Sequence, residues 1–210
     1  MPGADPLPAM RIRPAIVVLA AGSGSRFEGD SHKLEQPFHG STVLATTVRH
    51  AVETQLPVVV VTTALLAPQL ARQIATRDLV VLSADEAARG VGNSIAAGVA
   101  ERSGASGWLV LPADMPLILP GSMLAVATAL AEHAVVCPEH QGRRGHPIGF
   151  AAELYSELIV LSGDEGVRRL VARYPSFGQA VNDPGVLLGV DTAADLALLR
   201  QHAGRSSKVS

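Results

Sequence analysis

The chain has 210 residues, a formal net charge of −2 at pH 7, 48% apolar and 17% charged residues, and only 3% aromatic ones. A chain of this length and composition is globular, buries a sizeable core without disulfide or metal staples, and fills that core with Ala, Val and Leu. The near-zero charge without a long basic run excludes a nucleic-acid surface, the single cysteine, Cys137, excludes a disulfide framework and fits a reducing compartment, and no apolar stretch reaches the ~20 residues that span a bilayer.

The expected location is therefore the cytoplasm, with neither membrane nor nucleic acid as partner. Residues 1–13 are proline-rich and have no apolar signal core, so they read as a flexible extension in which Met10 is an alternative start. A single domain is expected over 14–202 and a polar tail over 203–210. Within the domain, short apolar runs predict strands near 15–19, 57–62, 79–82, 108–111 and 134–137, alternating with helices near 42–54, 64–75, 93–102 and 121–132. Ser41, Asn93 and Ser122 are the expected helix caps, and Pro57 and Pro120 mark boundaries. After residue 138, PEHQGRRGHPIGFA reads as two short strands joined by a Gly- and Arg-rich turn, an antiparallel element that follows the main sheet. Helices near 151–160 and 163–173, strands near 178–181 and 186–190, and a closing helix near 192–202 complete the pattern. The expected fold is α/β: a doubly wound, mostly parallel, Rossmann-like sheet with a small antiparallel insertion.

The first strand leads into an unusual loop. Residues 16–33 read IVVLAAGSGSRFEGDSHK, an apolar run followed by Gly22 and Gly24 and then the cations Arg26 and Lys33. Small residues expose backbone N–H groups and the cations neutralise charge that the amides cannot, which suits phosphate. A dinucleotide fingerprint needs a third glycine where Phe27 stands and a ribose-binding acid about 20 residues on. A Walker loop needs glycine directly before lysine and Ser/Thr after it, whereas Lys33 lies between His32 and Leu34. The loop is neither; the glycines alone would also serve a plain strand-to-helix turn.

Further along, LVLPADMPL ends a buried strand in Asp114. Ligands of open parallel sheets bind beyond the carboxyl ends of strands, so Asp114 is expected on the same edge as the glycine loop, where a carboxylate suits Mg²⁺. Asp191 ends LLGVD and is a second candidate ligand, although Asp191, Thr192 and Asp195 also make a helix start. RGVGNSIAAG sets Gly90, Asn93, Ser94 and Gly98 at a helix start, open to a flat group such as a base or to close helix packing. Arg143, Arg144 and His146 are donors for an anion in a surface turn, and Asp164 precedes Arg168 and Arg169 as a helix cap.

Taken together, LAAGSGSRF with Lys33, GVGNSIAAG, PADMP, GHPIGF, SGDEGVRRL and VDTAADL resemble, in order and in rough spacing, the nucleotidyltransferases of molybdenum cofactor maturation, and among them the cytidylyltransferases. The resemblance spans about residues 14–202. It implies a nucleotidyltransferase sheet, Mg²⁺ as cofactor, and transfer of CMP from CTP to the terminal phosphate of molybdopterin with release of pyrophosphate. A molybdenum hydroxylase is the implied transient recipient. By the same resemblance Leu19, Ala20, Ala21, Gly22, Ser23, Gly24, Ser25, Arg26, Lys33, Gly90, Asn93 and Ser94 would bind nucleotide, with Ala21 favouring CTP over GTP. Arg26, Lys33 and Asp114 would be catalytic, Asp114 and Asp191 metal ligands, and Arg143, His146 and Asp164 acceptor contacts. The spacer to Lys33 is longer than the family's, Gly189 stands where relatives carry an acid or amide, and Ala193 replaces a proline. A guanylyltransferase, another nucleotidyltransferase on a different phosphorylated substrate, and a non-catalytic carrier of the cofactor are the alternatives.

Overall fold

Valine-rich runs that are apolar at every position suit strands covered on both faces, and they form the centre of the molecule. The structure is a computed structural model that describes residues 13–24, 27 and 31–206, with side chains described to residue 202. In chain order it contains β1 (Ala15–Ala20), a short hairpin of β2 (Pro37–Phe38) and β3 (Ser41–Thr42), α1 (Val43–Glu53), β4 (Val58–Thr63), α2 (Ala67–Leu70) and β5 (Leu79–Leu82). There follow α3 (Ala84–Ala87), α4 (Val91–Glu101), β6 (Gly107–Pro112), α5 (Pro120–Ala129), β7 (Val135–His140), β8 (Arg143–Arg144) and β9 (Ile148–Ala151). The chain closes with α6 (Tyr155–Leu158), α7 (Glu165–Arg173), β10 (Ser176–Ala180) and α8 (Ala193–Ser206).

The main sheet has the order β10-β7-β9-β6-β1-β4-β5, with β8 attached to β7. β1, β4, β5 and β6 pair in parallel, as do β7 and β10, while β9 runs antiparallel to both of its neighbours. Alternation along the strands divides the core in two. Ile16, Val18, Val60, Leu109 and Leu111 face the cluster that includes Leu44 of α1 and Met123 of α5. Val17, Val59, Val61, Trp108 and Val110 face Ile95 of α4, Leu158 of α6 and Leu170 of α7. The mostly parallel, doubly wound expectation is met.

Four local expectations need correction. The antiparallel element does not follow the main sheet: β9 is a central strand between β6 and β7, its Phe150 fully buried. Gly149 lies under α5, where a Cβ would come within 2.9 Å of Val126. Residues 186–190 form no strand, because Pro184–Leu187 winds into a 3-10 turn whose Gly185 N–H is taken by Asp183. The helix expected over 64–75 is reduced to Ala67–Leu70, with Leu70 O then accepting from both Gln73 N and Ile74 N. The caps shift as well: Thr42, not Ser41, accepts from Ala45 N, α4 begins on Gly90 rather than Asn93, and Ser122 lies inside α5.

α8 extends to Ser206, past the expected end at 202, and Arg13 is tied in by its contact with Gln55 O. The rest of the expected extension, and residues 207–210 of the tail, lie outside the described residues. Among the described residues no helix is long and apolar enough to cross a membrane.

Candidate functional site

β1 and β6 are adjacent and parallel, so their carboxyl ends open on one edge. Leu19 pairs with Pro112, and Ala113 N donates to Leu19 O at 3.0 Å. That contact carries the chain from the strand end to Asp114 beside the loop that leaves β1. A third segment joins them: Val190 N donates to Asp114 O at 2.9 Å and brings Asp191 alongside, although residues 186–190 are not a strand. Lys33 closes the group. Its Nζ lies 2.5 Å from Asp114 Oδ2 and 3.2 Å from Asp191 Oδ1. Residues 81 and 158 positions apart in sequence thus meet at one point. The ammonium is well covered, at 13% side-chain exposure, while Asp191 is open at 45%.

Capping at the start of α8 falls to Asp195 and Thr192 rather than to the Asp191 carboxylate. Asp195 Oδ2 accepts from Thr192 N at 2.7 Å, Thr192 Oγ1 at 2.8 Å and Asp191 N at 3.2 Å, and Thr192 Oγ1 accepts from Asp195 N. The start of α8 is therefore satisfied by Thr192 and Asp195. These bonds also hold the Asp195 carboxyl below the usual carboxylate range, chiefly through the Thr192 hydroxyl and amide.

Lys33 begins a 3-10 turn, Lys33–Glu35, whose cap is His32. The ring's Nδ1 accepts from Leu34 N at 3.2 Å, which places the ring proton on Nε2, 2.9 Å from Gly22 O. His32 N in turn donates to Glu35 Oε2 at 3.2 Å. His32 thereby fastens the glycine loop to the turn that carries the lysine, a function that sequence reading missed. The signal was there as His32-x-x-Glu35, a capping box with histidine in place of the usual Ser or Thr. Of the nucleotide residues expected along this loop, Ala20 and Ala21 are buried, Leu19 and Gly24 half-buried, and Gly22 and Ser23 exposed. Ala21 joins the apolar cluster that contains Ile95 of α4. Ser25 and Arg26 lie outside the described residues.

The second glycine loop is closed by the chain itself. Val91 N donates to Asp164 Oδ1 at 2.9 Å, Gly92 N to Gly163 O at 3.0 Å, and Gly163 N to Arg89 O at 2.9 Å. Asp164 therefore caps α4 rather than its own helix, α7, with which its side chain makes no capping bond. Both glycines are required: Gly90 has φ +93°, and a Cβ there would come 2.7 Å from Asp164 Oδ1, while one on Gly92 would come 2.7 Å from Gly163 O. Asn93 Nδ2 donates to Glu86 O at 2.9 Å, and Ser94 is buried. Gly98 serves close helix packing, since a Cβ there would strike Val17 of β1 and Val61 of β4.

In the turn over 141–147 the donors separate. Arg144 is committed to Ser176 Oγ at 2.5 Å, and Arg143 is exposed. His146 turns inward. Its N–H donates to Val186 O at 2.9 Å, and burial pushes its imidazole below the ordinary value of 6.5, partly offset by the charge of Asp114. The ring is therefore neutral at pH 7. Gly145 allows this approach because any Cβ would overlap Val186 O. Behind the turn lies a residue that sequence reading passed over, the buried Asp183. Its Oδ2 accepts from Leu119 N at 2.9 Å and Ser122 Oγ at 2.7 Å, and its Oδ1 from Gly185 N at 2.8 Å. The Asn-Asp-Pro-Gly run at 182–185 was its visible signal.

Two carboxylate oxygens converging on one cation are hard donors of the kind that hold Mg²⁺ or Mn²⁺, with phosphate and water completing the shell. Among the described residues no group of three or more His, Cys, Asp or Glu is placed to hold a metal ion. Beside an exposed glycine loop and a lysine, the arrangement can bind a polyphosphate and neutralise charge on it.

Comparison with known proteins agrees with that chemistry. The model of the MobA-like NTP transferase domain matches residues 16–178. Purine catabolism protein PucB of Bacillus subtilis (strain 168) is 29% identical over 198 residues, which are 88% of this chain and 95% of PucB. The crystal structure of Rv0371c from Mycobacterium tuberculosis H37Rv superposes with a TM-score of 0.75 at 26% identity, covering 90% of this chain and 98% of that one. Its complex with manganese gives 0.73 over the same shares. Molybdopterin-guanine dinucleotide biosynthesis protein A of Archaeoglobus fulgidus, at 16% identity and a TM-score of 0.68 over 91% of this chain and 99% of that one, shares the fold.

Proposed function

The chain belongs to the MobA-like NTP transferase family, and we propose that this nucleotidyltransferase moves CMP from CTP to the terminal phosphate of a molybdopterin-type acceptor. The single observation that carries the reading is the meeting of Lys33, Asp114 and Asp191 at the mouth of the glycine loop. In the reaction an acceptor phosphate oxygen bonds to the α-phosphorus of CTP, the bond from that phosphorus to the bridging oxygen breaks, and pyrophosphate leaves with the electron pair. Such a transfer needs positioning and charge neutralisation more than a protein nucleophile.

The amides from Gly22 to Ser25 hold the triphosphate, and Arg26 and Lys33 stabilise the charge that develops on it. Asp114 and Asp191 hold a divalent ion, which when bound neutralises phosphate charge and orients the chain of phosphates. The manganese complex of Rv0371c supports a divalent ion in a relative; we take Mg²⁺ for this chain. Gly90, Asn93 and Ser94 form the wall for the base, and Ala21, in the same apolar cluster as Ile95 of α4, is the residue that the LAAG form of the loop ties to CTP. Arg143 and His146 face the acceptor, and Asp164 acts by fixing the wall. The acceptor assignment is supported by the ordered motifs GVGNSIAAG, PADMP and GHPIGF, and the product would pass to a molybdenum hydroxylase.

Two measurements test the reading. CTP with Mg²⁺ should raise the melting temperature more than GTP does, because a ligand of the native state stabilises it by mass action. Pyrophosphate should be released with CTP and molybdopterin together. Release with GTP but not CTP rejects the choice of nucleotide, and no release with any nucleotide rejects the acceptor.

A further inference from the structure

We infer that Lys33 is a built-in counter-cation for the Asp114–Asp191 pair, one that keeps a free divalent ion out of the site until a nucleotide arrives. The inference deepens the proposed function and rests on its reading of the pair as a metal site. An ammonium 2.5 Å from one carboxylate and 3.2 Å from the other occupies the place where an ion bound to both oxygens has to sit. An ion coordinated at the ~2.1 Å usual for Mg²⁺ must therefore displace the ammonium, and a lysine left beside it with no new partner meets a like charge.

The backbone of Lys33 gives the ammonium little freedom except through its own stem. The turn is capped by His32 on one side, Leu34 beside it is buried, and Glu35 is held by His32 N and by Gln69 Nε2 at 2.7 Å. The side chain can only swing, and the glycine loop is tied to the same turn through the bond of His32 to Gly22 O. A triphosphate on the loop supplies the negative partner that lets Lys33 leave the carboxylates. Nucleotide and metal are thus coupled through one lysine, and each tightens the other by the same factor. The long spacer ahead of Lys33 fits this role, because His32 rather than spacer length sets where the lysine stands.

The test is titration with Mn²⁺ followed by the loss of its free-ion electron paramagnetic resonance signal, on the full chain with and without CTP. Wild type should bind Mn²⁺ weakly alone and at least about tenfold more tightly with CTP, within the usual range of coupling. Lys33→Met, which keeps the stem and removes the charge, should bind Mn²⁺ alone at least about tenfold more tightly than wild type, whereas Lys33→Arg should stay weak. Lys33→Met no tighter than wild type, with CTP still promoting Mn²⁺ binding to wild type, overturns the inference and leaves the proposed function standing. Equal affinity of wild type with and without CTP also overturns it, and requires no variant to fold. No Mn²⁺ binding even with CTP overturns both the inference and the metal site beneath it.

Discussion

Two glycine-bearing loops open on the same edge of the sheet, and they differ in where their amides point. Ahead of α4, Val91 N and Gly92 N donate to Asp164 and Gly163, so the positive end of that helix is already answered by the chain. After β1, the fastening falls on a carbonyl, Gly22 O, which accepts from His32, and the amides of Gly22, Ser23 and Gly24 donate to no other described residue. Glycines before a helix are therefore not by themselves a phosphate site. The loop after β1, with those amides, a lysine and two carboxylates, has the donors that a polyphosphate needs, and the self-closed loop offers a shaped wall.

Substitutions can break this contrast at several strengths. Replacing Asp114 or Lys33 by Ala should lower turnover by about 10²-fold or more, read by steady-state pyrophosphate release on protein whose circular dichroism is unchanged; a rate near wild type would move the chemistry away from the β1 loop. Gly92→Ala forces a methyl against Gly163 O and should cost about 1–3 kcal/mol of stability in urea unfolding. If it costs nothing, the wall at α4 is not rigidly closed. Asp164→Ala leaves Val91 N without its acceptor and should cost about 1 kcal/mol, the usual value of a lost cap, while turnover falls far less than in Asp114→Ala.

The smallest effect is on pH dependence. Burial holds His146 and His50 below the ordinary value of 6.5, so as pH falls below about 6.5 the unfolded chain takes up protons that the native state refuses. Stability from these groups is present above that pH and lost as pH falls toward their native values, with a slope of at most about 1.4 kcal/mol per pH unit for each. Urea unfolding at several pH values should show the slope, and it should flatten in His146→Asn and His50→Asn. An unchanged slope in both variants would assign the pH dependence to other groups.

The parts that were legible in the sequence share a physical reason. β1, β4 and β6 are covered on both faces, so they read as apolar runs, broken only by Thr62 and Thr63 at the end of β4, and Asp114 stands out as the first carboxylate after one of them. Where apolar spacing serves turns instead of regular elements, the reading went astray. Leu66, Leu70 and Ile74 are buried at helical spacing, yet only Ala67–Leu70 is helix, because the chain tightens onto Leu70 O. Val186 and Val190 are buried too, but Pro184 and the Asp183 side chain turn the backbone away from a strand. At the site, Lys33 and Asp114 were visible by type and position. His32 and Asp183 left only local traces, His32-x-x-Glu35 and Asn-Asp-Pro-Gly, whereas their distant contacts with Gly22 O and Leu119 N are recorded by no local pattern.

The most direct measurement follows the phosphorus. With CTP labelled at the α-phosphate, Mg²⁺ and molybdopterin, the wild-type chain should transfer label to the acceptor and release unlabelled pyrophosphate, and Asp114→Ala should transfer at least about a hundredfold less. Equal transfer by wild type and Asp114→Ala, or label left entirely in CTP while GTP supports transfer, would contradict the assignment of the Lys33–Asp114–Asp191 centre as a cytidylyl transfer site.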